Sequence, residues 1–185
     1  MVVDYDFTSL PAIDTPRLRL EPQGIEHFAG VWSNVHDPEA RRLTGTHTEF
    51  TEDQIRAWLE KLPTYDDRAD WAVIERDTGR YLGEVVLNDL DEDNSSMGYR
   101  IGLSGEGVLG RGFGTEAGRA VIAHAFDSLG LHRIGLEVYA FNPRAMRSYE
   151  KIGFVAEGRM RDALRWNGEW FDAIIMSILS TDPRR

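Results

Sequence analysis

The fold turns on Leu136-Glu137-Val138-Tyr139-Ala140-Phe141-Asn142, with Tyr149-Glu150-Lys151-Ile152-Gly153-Phe154 just downstream. His132 to Phe141 reads as a strand. Asn142 followed by Pro143 is an N-cap with proline at the first helical position, so Arg144 to Ile152 should be helical. Upstream, Gly110-Arg111-Gly112-Phe113-Gly114-Thr115 leads into a helix expected from about Thr115 to Leu129. Ala117, Val121, Ala125 and Leu129 share one stripe of that helix, and Gly130 is its expected C-cap.

Further out, Arg17-Leu18-Arg19-Leu20 alternates polar and apolar after Pro16, as a first strand with one buried face does. Two short helical segments follow. The second, Thr51 to Leu62, opens with Thr51 and Gln54 at capping-box spacing and places Ile55, Trp58, Leu59 and Leu62 on one face. Trp71 to Ile74 and Tyr81 to Leu87 form a hairpin around Asp77-Thr78-Gly79-Arg80. A polar loop from Asp89 to Ser95 then leads to a strand from Met97 to Leu103. Near the end, Trp166-Asn167-Gly168-Glu169 joins two strands, Asn-Gly being a strong hairpin signal. The order describes an α/β protein with one mixed sheet and helices on its faces, a single domain over residues 1–185 without repeat or linker.

The chain has 185 residues, no cysteine and a formal net charge of −10. That length buries a core without disulfides or metal clips. Without cysteine there is no zinc ribbon and no thiolate nucleophile. Asp4 and Asp6 stand where a secretory signal carries Lys or Arg, and no apolar run approaches the roughly 18 to 20 residues that span a bilayer. A cytoplasmic location without membrane contact is expected. Charge is uneven: residues 1–107 hold 10 basic and 22 acidic side chains, and residues 108–185 hold 11 and 9. The acidic balance repels nucleic acid and suits a cationic ligand.

The glycine stretch opens a helix whose free N–H groups make an anion site. It lacks the Lys-Ser/Thr of a P-loop. Gly112-x-Gly114-x-x-Ala117, with Glu137 twenty residues past Ala117, also fits a dinucleotide-binding fingerprint. That fingerprint closes the first strand of its unit, whereas several strands precede it here, so a small oxidoreductase stands only as a rival. Asp89-Leu90-Asp91-Glu92-Asp93 invites a calcium reading, but Asn94 and Arg100 occupy the positions where an EF-hand needs Gly and Glu. The five histidines show no metal-ligand spacing, and no metal is expected.

Together these segments resemble the GNAT acetyltransferase superfamily over roughly residues 14 to 180. Thr15-Pro16-Arg17-Leu18-Arg19-Leu20 and Gly112-Phe113-Gly114-Thr115-Glu116-Ala117 look like the branch of ribosomal-protein N-terminal and spermidine N-acetyltransferases. The resemblance implies a mostly antiparallel sheet whose central strands splay apart, acetyl-CoA as acetyl donor, and a homodimer. It further implies that Leu109, Gly110, Arg111, Gly112, Phe113, Gly114 and Thr115 form the pyrophosphate loop. The family opens this loop with Gln or Arg where this chain has Leu109, which leaves the backbone N–H groups as donors. Ile101, Gly102 and Leu103 match the strand that pairs with pantetheine as a surrogate strand. Asn142 matches a pantetheine contact, and Arg144 and Arg147 lie in the segment near the phosphates.

Amine attack on a thioester requires removal of a proton from the ammonium, stabilisation of an oxyanion and protonation of the thiolate. By the same resemblance, Tyr149 is the general acid and Glu137 the general base, with Glu84 as rival base. The absence of cysteine rules out a cysteinyl acyl-enzyme and favours direct transfer. The acceptor implied is a primary amine: a peptide N-terminus, a polyamine or another small amine. A non-catalytic acyl-CoA sensor on the same fold is the second rival.

Overall fold

The computed structural model describes Tyr5 and residues 7–183. Its strands are β1 (Ile13–Asp14), β2 (Leu18–Pro22), β3 (Ala69–Glu75), β4 (Tyr81–Asp91), β5 (Ser96–Leu103), β6 (Arg133–Tyr139), β7 (Val155–Trp166) and β8 (Glu169–Leu179). They form one sheet in the spatial order β1-β2-β3-β4-β5-β6-β8-β7. All neighbours are antiparallel except β5 and β6, which run parallel. The helices are α1 (Phe28–Val35), α2 (Pro38–Thr44), α3 (Glu52–Lys61), α4 (Phe113–Asp127) and α5 (Pro143–Ile152), with single 3₁₀ turns at Ile25–His27 and Leu62–Thr64.

Local chemistry explains most boundaries. At α3, Thr51 accepts from the Gln54 N–H and the Gln54 side chain accepts from the Thr51 N–H, the reciprocal capping box the spacing implies. At α5, Asn142 Oδ1 accepts from the Ala145 N–H at 3.1 Å, with Pro143 at the first position. Asn167 and Gly168 both have positive φ, 50° and 89°, which gives the two-residue turn between β7 and β8 the right-handed twist of its strands.

Several boundaries differ from the sequence expectation; β6, for one, is shorter than the expected His132 to Phe141, running from Arg133 to Tyr139. Three helices, not two, separate β2 from β3, because Pro38 disfavours a helical Asp37 and Asp37 instead caps α2 by accepting from the Ala40 N–H at 2.7 Å. α4 begins at Phe113, since Gly112 at φ 84° serves as its N-cap. It ends at Asp127 with Ser128 as C-cap in place of Gly130, because the Ser128 and Leu129 N–H groups both turn back to the His124 carbonyl. Finally, β4 continues to Asp91 through the stretch expected as loop. It does so by inserting an extra residue between the pairs Asn88↔Gly98 and Asp91↔Ser96, with Asp89 at φ 56°. Asp tolerates that left-handed conformation better than most residues.

The helices cover both faces. α4 lays Ala117, Val121 and Ala125, all fully buried, on a core that includes Leu18, Leu20, Trp71 and Ile134. On the opposite face, α1 and α3 bury Val31, Ile55 and Leu59 in a second cluster with Leu62. Each large side chain so buried contributes about 1.5–3 kcal/mol relative to exposure. The start of α4 is also pinned from β2: the Glu116 carboxylate accepts from Thr15 Oγ1 at 2.7 Å, the Arg17 N–H at 2.8 Å and Arg17 Nε at 2.7 Å. Burial alone would raise the Glu116 carboxyl; Thr15 and Arg17 outweigh it and hold it below its usual range. Arg17 further donates to the Arg111 carbonyl at 2.9 Å, so the Thr15-Pro16-Arg17 segment anchors the glycine loop.

Candidate active site

The parallel contact between β5 and β6 lasts only three residue pairs, Ser96↔Arg133, Met97↔Ile134 and Gly98↔Gly135. Beyond them the strands part. Tyr99 to Leu103 remain paired to β4 on one side and Leu136 to Tyr139 to β8 on the other, so their facing edges carry unpaired backbone groups. Between them lies a cleft of about 930 Å³, closed at its wide end by the glycine loop, the first turn of α4 and α5.

Strand pleat assigns side chains to the two faces of this opening. On β5, Tyr99 points toward α5, where its ring packs edge-on against Tyr149 with centroids 6.0 Å apart. Gly102 faces α1, where the Asn34 side chain lies over it. On β6, the Tyr139 hydroxyl sits against the backbone of Gly45 at the end of α2. Glu137, two residues earlier on the same strand, shares that face. Burial first and the Glu137 carboxylate second push the Tyr139 hydroxyl up, which places the two groups together. Glu137 thus opens to the α1–α3 side and Tyr149 approaches from the α4–α5 side, with the cleft between them.

Tyr149 is buried, its ring held by Tyr99 and Phe154. Burial pushes its hydroxyl up to about 12. Glu137 is solvent-exposed at the cleft wall. The rival Glu84 lies outside the cleft, in an adjoining pocket, and accepts from Gln23 Nε2 and from Arg100, each at 2.8 Å. Asn142 spends Oδ1 on the α5 cap and lines the cleft as well.

The cleft gathers the other residues singled out by sequence, with one exception. Ile101, Gly102, Leu103, Leu109, Gly110, Gly112, Phe113, Gly114, Thr115, Arg144 and Arg147 all line it. Arg111 does not. Its guanidinium turns away to Glu75 at 3.3 Å and over the Phe113 ring, because Glu75 on β3 offers a carboxylate on the outer side of the loop. Sequence reasoning missed Asn88 and Asp89, which flank the apex of the splay where Asn88 Nδ2 donates to the Asp89 carboxylate, because β4 reads there as polar loop. It also missed Ser148, whose hydroxyl meets that of Thr115 at 2.8 Å and ties α5 to α4. Tyr99, whose buried hydroxyl has no partner among the described residues, gave no signal beyond strand alternation.

A free strand edge, the unpaired N–H groups in the first turn of α4 and two exposed arginines on α5 suit a long ligand that is amide-bearing at one end and anionic at the other. A central parallel pair splayed above a glycine-capped helix defines the class of acyl-CoA-dependent acyltransferases. The chain belongs to the GNAT acetyltransferase family, whose domain, described as Acetyltransferase (GNAT) domain, matches residues 17–155. It is similar to a probable N-acetyltransferase, YjcK, of Bacillus subtilis, 33% identical over 85% of this chain and 84% of that protein. It also resembles the spermidine N(1)-acetyltransferase of Vibrio cholerae, 31% identical over 59% of this chain and 62% of that one. The crystal structure of a Vibrio cholerae spermidine N-acetyltransferase with CoA and spermine superposes with a TM-score of 0.84 at 22% identity, covering 91% and 98% of the two chains. The protein is an N-acetyltransferase with acetyl-CoA as its acetyl donor. Among the described residues no cluster of metal-binding side chains occurs, and no helix is long and apolar enough to cross a membrane.

Proposed function

We propose that this enzyme acetylates a primary amine by direct attack within a ternary complex, with Glu137 as base and Tyr149 as acid. The observation that carries the proposal is the placement of these two groups on opposite faces of one cleft between splayed strands. An amine arriving from the α1–α3 side meets Glu137 first. A thiolate leaving toward the α4–α5 side meets Tyr149. The thioester supplies the electrophile; the chain supplies the alignment, the two proton transfers and the exclusion of water.

Glu137 is favoured over Glu84 because Glu84 already holds two donors and lies outside the cleft. The β5 edge from Ile101 to Leu103, the N–H groups of Gly114 and Thr115, and Arg144 and Arg147 form the donor-binding surface in this reading. Arg144 lies close enough to Glu39 to add to Arg42, the main cause, in holding that carboxylate below its usual range. The acceptor is a peptide N-terminus, a polyamine or another small amine, and the spermidine-acetylating relative supports an amine of this general class.

Thiol release from acetyl-CoA, followed across peptides, polyamines and amino acids, tests the reading. Release with at least one amine, and its loss in Glu137→Gln, is the expected result. Binding of acetyl-CoA without release for any amine would instead favour the sensor on the same fold.

A further inference from the structure

A second pocket of about 460 Å³ lies on the α1–α3 side of the sheet, and Ala40, Thr44, Asn88, Arg100 and Gly102 belong to both it and the coenzyme cleft. It therefore opens into the cleft that Glu137 lines. One wall is apolar, with Val31, Phe50, Ile55 and Trp58 from the α1–α3 layer. The opposite wall is charged, and the balance there is not that of the surrounding sequence.

Three arginines line this pocket, Arg41, Arg68 and Arg100, against a single carboxylate, Glu84. Glu84 is occupied by Arg100 and Gln23. Arg68 is neutralised from behind by buried Asp70, which accepts from its Nε at 2.7 Å and its terminal nitrogen at 2.6 Å. Arg41 pairs with no carboxylate among the described residues: its terminal nitrogens donate to the carbonyls of Val35, His47 and Thr48 at 3.1, 3.2 and 2.9 Å. Those carbonyls fix the guanidinium in place and leave its full charge uncompensated. A polycation entering here meets no free carboxylate and one unbalanced positive charge. At the inner end the Asn34 side chain lies over Gly102 with its Nδ2 facing that residue, which marks where the pocket meets the β5 edge.

We infer that the acceptor is a small primary amine that also carries a carboxylate, with its amine at the Gly102 mouth shared with the cleft, its stem against Phe50 and Trp58, and its carboxylate facing Arg41 and Arg100. The inference rests on the acetyltransferase reading above and narrows its substrate. The acidic excess of residues 1–107 is not gathered at this pocket; where acidic side chains reach it, arginines already hold them.

Matched amines test it: butylamine, 1,4-diaminobutane and 4-aminobutyrate share a four-carbon stem and differ only at the far end. Hexapeptides with Asp or Lys at the second position distinguish a peptide end from a free small molecule. Thiol release should show kcat/KM for 4-aminobutyrate at least about tenfold above both other amines, as a charge-assisted hydrogen bond provides, and above both peptides. Arg100→Gln, a half-exposed position, should reduce the 4-aminobutyrate to diaminobutane ratio about tenfold through KM, while a cooperative melt without ligand shows that the variant is folded. An Asp peptide that surpasses 4-aminobutyrate would overturn the small-molecule assignment. Diaminobutane used as well as 4-aminobutyrate, with a ratio indifferent to Arg100→Gln, would overturn the inference and leave the acetyltransferase reading standing. If no amine releases thiol, that reading fails, and the melting temperature with CoA plus each amine still decides the pocket: a rise with 4-aminobutyrate alone supports it, and a rise with diaminobutane alone, or with neither, refutes it.

Discussion

Replacing Tyr149 with phenylalanine removes one oxygen and leaves everything else that the side chain does. The ring contacts to Tyr99 and Phe154, with centroids 6.0 and 5.9 Å away, persist in Tyr149→Phe. Burial alone raises the hydroxyl, with no hydrogen-bonding group among the causes, so its removal breaks no hydrogen bond among the described residues. The unfolding free energy should therefore change by less than about 1 kcal/mol. The catalytic cost is of another size. With the hydroxyl pushed up to about 12 by burial, its proton is retained at any pH suited to the assay. A complete transfer to a free thiolate with pKa about 8.5 would be uphill by about 5 kcal/mol. The proton must then move as the carbon–sulfur bond breaks, while charge is building on sulfur away from water. Loss of a general acid at that stage costs about 10²-fold or more in kcat, or about 3 kcal/mol. Thiol-release kinetics give kcat, titration with acetyl-CoA gives affinity, and urea denaturation gives stability. An unchanged kcat, or a loss confined to KM for acetyl-CoA, would remove Tyr149 from the chemistry.

Glu137→Gln should lower kcat at neutral pH by about 10²-fold and recover part of it as pH rises and the amine deprotonates unaided, whereas Glu84→Gln should act chiefly on acceptor KM; pH–rate profiles of the two variants separate them. Gly83 lies in β4 at φ 146°, where a Cβ would fall onto the Gly102 carbonyl oxygen. Gly83→Ala should cost about 3 kcal/mol or more by forcing β4 from β5, read by urea denaturation. Arg68→Leu strips buried Asp70 of its partner and should cost about 3–5 kcal/mol at neutral pH. Burial already raises the Asp70 carboxyl in spite of Arg68. A group with a raised folded-state pKa favours the fold more when protonated, so the penalty of Arg68→Leu should shrink as pH falls toward that pKa and be largest above it, as unfolding curves at several pH values will show. Asn142→Ala removes the cap of α5 and should cost about 1 kcal/mol of stability, together with a measurable rise in Kd for acetyl-CoA by calorimetry.

The helices and strands set by local chemistry were legible in advance. Asn142-Pro143, Thr51 with Gln54, and Asn167-Gly168 each carry their instructions within four residues, and the structure uses all three as expected. The glycine loop and the strand before it were legible in the same way. What escaped was set by partners distant in sequence. The ion pair of Arg111 with Glu75, from β3, has no signal in the residues around the loop. The Asp89 bulge looks like loop because its strand character comes from pairing with β5. The arginine wall of the second pocket was invisible, since Arg41, Arg68 and Arg100 come from three different segments and only the packing of α1–α3 over β4 and β5 assembles them. Charge summed along residues 1–107 pointed to a cationic acceptor; charge at the pocket points the other way.

The three-pair contact between β5 and β6 gives this sheet four edges where an ordinary open sheet has two. β1 and β7 are the outer pair, and the far halves of β5 and β6 are an inner pair that face each other without meeting. An unpaired edge is a template for any stray strand. Here the inner edges face each other across a cleft lined by the glycine loop, the first turn of α4 and α5, so they are set apart from the outer rim of the sheet. In the proposed reading, the gap in the hydrogen-bond ladder is the place where an amide-bearing donor completes the sheet.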